Sequence, residues 1–221
     1  MIPIRERGRL REFPFVTYTL VILLIVIYLW DREWSLFGER VVFTDLAVRP
    51  VDVIRALYGG DKEPLITLFT SAFLHGNIAH LLSNLIFLVV FAPRVEVYFG
   101  AMRFALYYLF WGVAAAFTQI IVMPDSGTPM LGASGAIAGV MGSYLLLFPG
   151  ALIEVIIPPL FFWTFYVPAW VMLTLWFVFQ IFSPQIGVAN WAHAGGFLAG
   201  MIIVMLTGNR ERARRLRPGV Y

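Results

Sequence analysis

The sequence predicts an all-α membrane protein with six transmembrane helices. Hydrophobic residues make up 60% of its 221 residues and charged residues only 13%, against roughly 25% charged residues in soluble domains. Setting histidine aside, charge is absent from 13–30, 64–93, 104–124, 126–153 and 155–209. Because a helix needs about 20 apolar residues to cross a bilayer, these stretches favour a polytopic membrane protein over a soluble one.

The six spans follow from these stretches and their breaks. The stretch 155–209 is too long for one crossing, and Ser183-Pro184-Gln185-Ile186-Gly187 divides it in two. The connection 150–164, with Glu154 and Pro158-Pro159, is predicted to lie at the membrane interface. The spans are therefore placed at 13–30, 76–93, 103–123, 134–149, 165–182 and 190–207. The first is a retained span, because Trp30-Asp31-Arg32 does not resemble a signal-peptide cleavage site.

Arginine at both ends predicts the orientation, since Lys and Arg collect on the cytoplasmic side of membrane proteins. The arginines are Arg5, Arg7, Arg9 and Arg11 before the first span, Arg94 and Arg103 in the 93–103 connection, and Arg210, Arg212, Arg214, Arg215 and Arg217 after the last. An even number of spans puts both ends on one side. Residues 1–12 are thus a basic cytoplasmic amino terminus, 13–207 the six-helix domain and 208–221 a basic cytoplasmic tail. The loop 31–63, with seven acids and five bases, lies outside. The short chain, without an added domain or seventh span, favours a bacterial inner membrane.

Three polar side chains fall at one depth in this topology. His80, Ser134 and His193 each lie within the first few residues of spans two, four and six, and all three spans begin on the outer face. Ionisable groups at membrane depth are rare and usually functional. A serine beside a histidine base is the minimal apparatus of acyl transfer.

The residues around Ser134 and His193 permit two interpretations. Gly132 and Gly135 flank Ser134, and Gly196 and Gly200 share the His193 side of span six. Small residues at such spacing are often only a helix-packing surface, and a lone buried histidine is often structural. The functional interpretation is that the small-residue faces of spans four and six meet and bring His193 to Ser134. The acids between 64 and 209 are Glu96, Asp125 and Glu154, none at that depth, so a Ser134–His193 dyad is predicted.

The remaining polar residues of span two suit an oxyanion site. His80 and Asn84 are four residues apart and share one helix face, and both carry hydrogen-bond donors. His75 is expected to anchor the adjacent loop. Without cysteine there is no thiolate chemistry. A zinc site on the histidines lacks a HExxH pairing, and neither a metal nor another cofactor is expected.

These motifs resemble the rhomboid family of intramembrane serine proteases. The resemblance rests on His75-x4-His80-x3-Asn84, Gly132-x-Ser134-Gly135 and Ala192-His193-x2-Gly196-x3-Gly200, in that order, and covers about residues 64–207. It implies a six-transmembrane-helix rhomboid bundle with Ser134 as nucleophile and His193 as general base. His80, Asn84 and the Ser134 N–H would form the oxyanion hole, and Glu96 would match a structural acid.

Two departures from the family pattern stand out. Many members carry a Trp-Arg pair eight to nine residues before the first histidine, where this chain has Ile66-Thr67. Some members place an aromatic ring one turn below the serine to stack on the base, where this chain has Ala138. The second departure leaves open which group orients His193.

The resemblance also implies substrates and surroundings. The expected partners are the lipid bilayer and single-span or other membrane proteins cut near the outer surface, with no nucleic acid. The loop 31–63 resembles an interfacial loop through Trp34, Leu36, Phe37, Val41, Val42 and Phe43. The span 165–182, with Phe161, Phe162, Trp163 and Phe165, would form a lateral gate or else face lipid. The alternatives are an inactive relative that binds clients without cutting them, and a transporter, for which no inverted repeat or intramembrane carboxylate is visible.

Overall fold

The computed structural model describes residues 1–8, 10, 12–38, 44–157, 163–183 and 187–216, which are mostly helical. The helices are α1 Phe15–Trp30, α2 Pro50–Leu57, α3 Thr67–Thr70, α4 Ile78–Phe99, α5 Ala101–Val122, α6 Ser134–Leu147, α7 Ala169–Phe182, α8 Asn190–Thr207 and α9 Arg210–Arg215. The strands are β1 Ile2–Glu6, β2 Leu152–Ile156 and β3 Thr164–Pro168.

Six apolar helices lie where the sequence predicts spans. By length and composition, α4, α5 and α8, with 22, 22 and 18 residues, qualify among the described residues as helices that can cross a membrane. The apolar helices α1, α6 and α7 are shorter, with 16, 14 and 14 residues. The prediction of several apolar helices is confirmed, whereas three rather than six of them reach the length of a full span.

Helix α4 is longer than predicted. The sequence places a charged connection at 93–103, but α4 runs on to Phe99 and the chain turns at Gly100, whose φ is +83°. Arg94 and Glu96 are inside the helix and only 3% exposed. The prediction was wrong because it took charged residues to be exposed to solvent, whereas Arg94 and Glu96 have partners inside the protein.

A small sheet corrects the prediction that the protein is all-α. The antiparallel order is β1-β2-β3, with Arg5 opposite Glu154 and Glu154 opposite Tyr166. Arg5 Nε donates to Glu154 Oε2 at 2.5 Å, and this hydrogen-bonded ion pair holds the pKa of Glu154 below its ordinary value. The connection 150–164 therefore contains β2 and the first residue of β3, and α7 begins at Ala169 rather than at 165 because β3 precedes it. Pro158-Pro159 lies outside the described residues, as does most of the break at 183–187.

Arg94 ties the two ends of the chain to the same end of the bundle. Its Nε lies 2.5 Å from Glu6 Oε1 in β1, and its Nη1 donates to the carbonyl oxygen of Leu216 just after α9. Burial raises the pKa of Glu6, and the Arg94 guanidinium offsets part of that effect. Both described ends of the chain therefore lie beside the carboxyl end of α4.

Glu96 closes the amino terminus of α1 from the neighbouring helix. The first N–H groups of a helix have no partner inside it, and Pro14, before α1, supplies no side-chain cap. Glu96 Oε1 accepts from the Val16 N–H at 2.8 Å, and Oε2 accepts from the Thr17 N–H and hydroxyl, both at 2.7 Å. An anion at this position also suits the helix dipole, so one buried carboxylate fixes α1 against α4.

Replacing Glu96 by glutamine is expected to lower the free energy of unfolding by about 1–3 kcal/mol, because an amide nitrogen facing these donors leaves buried groups unsatisfied. Thermal unfolding in detergent, followed by tryptophan fluorescence, measures the change. Glu211→Gln is the matched control, since that side chain is 81% exposed and lies 3.9 Å from Arg215. Equal stability of the two variants would contradict the capping role.

Glycines bring α6 and α8 into backbone contact. A Cβ on Gly196 would lie 2.1 Å from the Gly135 carbonyl oxygen, and one on Gly200 would lie 1.9 Å from the Gly139 oxygen. The Ser143 hydroxyl donates to the Gly200 carbonyl oxygen at 3.0 Å across the same contact. The small faces of the two helices therefore meet, and this contact sets how far the first residues of α6 lie from those of α8.

Candidate active site

A cavity of about 740 Å³ lies where α4, α6 and α8 begin. His80, Ser134 and His193 line it, together with Asn84 and Gly132. Its wall from α7 consists of Met172, Leu175, Trp176, Phe179 and Gln180. Among the described lining residues there is no Asp, Glu, Lys or Arg, so His80 and His193 are the titratable side chains of this cavity.

Ser134 and His193 are in hydrogen-bond contact. Ser134 is the first residue of α6 and His193 lies in the first turn of α8. The Ser134 Oγ is 2.7 Å from Nε2 of His193. On the opposite side of the ring, Nδ1 of His193 is 2.7 Å from Oε1 of Gln180. An amide oxygen only accepts, so Nδ1 carries the ring proton and Nε2 presents a lone pair to the serine hydroxyl.

His80 approaches the same serine from α4. Asn77 caps that helix, its Oδ1 accepting from the His80 N–H at 2.8 Å. The Gly76 N–H lies 3.4 Å from Nδ1 of His80, and this arrangement leaves Nε2 as the protonated nitrogen of the neutral ring. Gly132 has a φ of +127°, and a Cβ there would lie 2.8 Å from Nε2 of His80. Because residue 132 is glycine, the Nε2–H donor of His80 can lie beside Ser134.

Asn84 lies one turn further along α4 and is 5% exposed. Its Nδ2 is buried and has no acceptor within the part of the chain that the structure describes. A buried amide donor without a partner is unusual, because leaving it unpaired costs about 1–3 kcal/mol. An oxygen placed in the cavity would satisfy it, and this oxygen would lie among Asn84, His80 and the amino terminus of α6.

Arg32 holds the loop before α4, a role that sequence reasoning missed. Its Nη2 donates to the carbonyl oxygens of His75 and Gly76 at 3.1 and 2.9 Å, and its guanidinium lies 3.9 Å from the centre of the Tyr28 ring. His75 precedes the helix rather than lying on it. It is 1% exposed, its ring is 5.2 Å from that of His80, and burial together with the nearby His80 lowers its pKa to about 3. His75 is therefore neutral and packs behind His80.

Two further side chains near the site were also missed. Gln119 of α5 accepts from the Ala192 N–H at 3.2 Å and so satisfies a free donor at the start of α8. The Trp176 ring of α7 lies 5.8 Å from the His193 ring, tilted by 37°. Neither contact has a sequence signal of its own, because each depends on how two helices cross.

Other predicted residues lie away from the cavity. Glu96 is at the far end of α4, and Gly196 and Gly200 form the packing face below His193. Phe165 belongs to β3, and Trp163 immediately precedes that strand. Both lie at the opposite end of α7 from Gln180 and do not line the cavity. Phe161 and Phe162, and Val41, Val42 and Phe43 of the first loop, lie outside the described residues. Trp34, Leu36 and Phe37 of that loop are exposed.

Comparison with known proteins places this arrangement in context. A family model for the Rhomboid domain matches residues 62–210. RHOMBOID-like protein 5 of Arabidopsis thaliana is 30% identical over 140 residues, which are 62% of this chain and 42% of that protein. RHOMBOID-like protein 6, mitochondrial, of the same plant is 29% identical over 157 residues, 69% of this chain and 46% of that protein. Inactive rhomboid protein 1 of Drosophila melanogaster is 34% identical over 85 residues, 38% of this chain and 6% of that protein. The chain spans less than half the length of these relatives.

Proposed function

The chain belongs to the rhomboid family, and from this membership and the geometry of the cavity we propose that it is an intramembrane serine endopeptidase. Its substrates would be transmembrane or juxtamembrane segments of other membrane proteins. The observation that carries the proposal is the 2.7 Å contact between Ser134 Oγ and His193 Nε2. The Gln180 Oε1 acceptor at Nδ1 of His193 supports the tautomer in which Nε2 is unprotonated. Ser134 is the proposed nucleophile and His193 the proposed general base.

In the first step, Ser134 Oγ attacks the scissile carbonyl carbon while His193 Nε2 takes the hydroxyl proton. The carbonyl π electrons move to the oxygen. Three donors would hydrogen-bond to the resulting oxyanion: Nε2–H of His80, Nδ2–H of Asn84 and the Ser134 N–H. Losing one such donor typically costs about 3–4 kcal/mol of transition-state stabilisation. The tetrahedral intermediate expels the amine, which takes the proton from His193 and leaves an acyl-enzyme.

In the second step, water replaces the departed amine. His193 accepts a proton from the water, whose oxygen attacks the acyl carbon, and the same oxyanion donors stabilise the new intermediate. Ser134 leaves with the proton from His193, which restores the free enzyme and releases a carboxylic acid. No metal or other cofactor takes part in this scheme.

A helical substrate must unwind before it is cut. Hydrogen bonds inside a helix occupy the scissile carbonyl, and lipid provides no water to replace them. Segments weakened by Gly or Pro are therefore the proposed substrates. The α7 side chains Leu175 and Phe179 line the cavity, which supports access of such a segment beside α7.

The proposed setting is a membrane crossed by all six apolar helices, with both ends of the chain on the cytoplasmic side. The basic tails and the Arg94 contacts that join both ends support this orientation. The assignment to a bacterial inner membrane has no support from the relatives named above, which come from a plant and an insect.

The inactive relative suggests a client-binding protein as the second candidate function. The complete Ser134–His193–Gln180 chain of contacts favours the protease, because a protein that only binds clients has no use for a serine hydroxyl aimed at an unprotonated imidazole nitrogen.

A covalent label tests the proposal directly. The purified protein in liposomes is treated with a fluorophosphonate. This reagent transfers its phosphonyl group to an activated serine oxygen and releases fluoride. The adduct is then mapped by mass spectrometry. A single-span substrate with a Gly-containing helix is tested in parallel for cleavage. We expect an adduct on Ser134 alone, absent after denaturation, and a cut in or beside the span. Folded protein with neither adduct nor cut would identify the client binder instead.

A further inference from the structure

His193 has an orienting partner that neither the motifs nor the family pattern provides. Gln180 lies in the last turn of α7, and its Oε1 is 2.7 Å from Nδ1 of His193. Trp176 is one turn earlier on the same face of α7, with its ring 5.8 Å from that of His193. At position 138 of α6, alanine supplies no ring to stack on the imidazole. Apart from the contact with Ser134 of α6, the contacts that fix the imidazole therefore come from α7.

A histidine base requires such a partner because neutral imidazole has two tautomers. Only the tautomer protonated at Nδ1 offers a lone pair at Nε2 to the serine hydroxyl. In serine hydrolases with a triad, a carboxylate selects this tautomer, and loss of the selection lowers kcat by about 10⁴. The Gln180 amide oxygen accepts from Nδ1–H at the same position relative to the ring.

We propose that Gln180 is the positioning residue of this protein, selecting the reactive tautomer of His193 from α7. This inference rests on the proposed function. It identifies the third member of the site as a neutral amide on a helix distinct from those that carry the serine and the histidine. The amide orients the ring without placing a further charge at membrane depth, where a carboxylate is costly.

The packing of α7 against α8 holds the amide at this distance. Phe177 stacks on Phe197 with ring centres 4.7 Å apart, and Trp176 lies 6.0 Å from the same ring. Phe197 is one turn beyond His193 on α8 and is 1% exposed. These aromatic contacts set the height of α7 relative to α8 one turn from the hydrogen bond.

The electrostatic surroundings of His193 are simple enough for a test by pH. The groups that face it are Ser134 of α6, Gln180 and Trp176 of α7, and His80 of α4 across the cavity. His80 is the other titratable side chain among the described lining residues, which include no Asp, Glu, Lys or Arg. A carboxylate at position 180 would therefore be the one acidic side chain among the described residues that line the cavity, where His80 and Met1, which carries the terminal amino group, are the other ionisable residues.

The test compares Gln180→Met, which keeps the length and removes the acceptor, with Gln180→Glu, which keeps an acceptor. We expect Gln180→Met to lower kcat by about 100-fold, the lower end of a general-base contribution, with KM within about twofold of wild type. Gln180→Glu should retain a kcat near that of wild type at alkaline pH. Its acid limb should move to higher pH, because a carboxylate stabilises the protonated, inactive imidazolium. Val178→Met, on the exposed side of α7, is the control for a methionine in this helix.

The outcomes separate this proposal from the proposed function. If wild type neither cuts nor forms the Ser134 adduct, the protease assignment fails and the positioning role fails with it. If wild type cuts and Gln180→Met matches it in kcat and pH profile, only the role of Gln180 is overturned. If Gln180→Met and Gln180→Glu lost kcat equally and the acid limb of the pH profile did not shift, Gln180 would have only a packing role. Should Gln180→Met fail to fold, the pH shift of Gln180→Glu still decides, and the labelling rate of Ser134 reports base competence without a substrate.

Discussion

Ser134→Ala is expected to reduce cleavage by roughly 10⁴-fold or more, to the background of the assay, because loss of the nucleophile in a serine protease removes nearly all chemistry. The substitution removes one half-buried hydroxyl oxygen that lines the cavity and leaves the glycine contacts between α6 and α8 unchanged. Folding should therefore be preserved. The measurement is the rate at which purified variants in liposomes cut a single-span substrate, read by gel and mass spectrometry.

Two further variants sharpen this result. Ser126→Ala, in the loop after α5, removes a hydroxyl outside the cavity and should cut like wild type. His193→Ala should be nearly as inactive as Ser134→Ala, and the double variant should be no slower than either, because nucleophile and base act as one unit. Residual cutting by Ser134→Ala at more than about a tenth of the wild-type rate would refute the assignment of the nucleophile.

The positions of His80, Ser134 and His193 in the fold could be predicted because their sequence signal is local. His80, Ser134 and His193 were placed at the starts of alternate helices from hydropathy, charge and short motifs, and the structure has them at the starts of α4, α6 and α8. The glycines around them predicted a close helix contact. Each of these signals resides in a few consecutive residues and survives errors in helix length.

What the sequence left open depends on how distant elements cross. Gln180 meets His193, and Glu96 meets Thr17, through helix packing that no single segment encodes. The sheet was missed for another reason. Strands of five residues such as Leu152–Ile156 are too short for an apolar run to reveal its period, and the arginines near Ile2–Glu6 suggested a tail. The pairing of β1 with β2, in the connection before α7, joins segments far apart in the chain and therefore depends on the tertiary structure.

Gly200→Ala is expected to impair both folding and cleavage, although it lies two turns from His193. The added methyl carbon would lie 1.9 Å from the Gly139 carbonyl oxygen and 2.7 Å from the carbonyl carbon, well inside van der Waals contact. Both are backbone atoms, so no side-chain rotation relieves the clash and α8 must move away from α6. Overpacking of this kind typically costs about 1–3 kcal/mol of stability.

The same displacement acts on the chemistry. Ser134 is carried by α6 and His193 by α8, so separating the helices lengthens the 2.7 Å contact between Oγ and Nε2. A misplacement of about 1 Å can cost about 100-fold in rate, and we expect kcat/KM of Gly200→Ala to fall by that factor. Ser143, which donates to the Gly200 carbonyl oxygen, would also lose part of its hydrogen bond.

The matched control is Gly150→Ala, the same substitution at a glycine whose added Cβ has no neighbour within 4 Å. It should unfold and cleave like wild type. Thermal unfolding and cleavage of the two variants, measured in the same liposomes, separate a close-contact effect from a general cost of replacing glycine. If Gly200→Ala behaved like Gly150→Ala, the backbone contact of α6 and α8 would not set the distance between serine and histidine. Other contacts, such as the Phe177–Phe197 stack between α7 and α8, would then have to fix that distance.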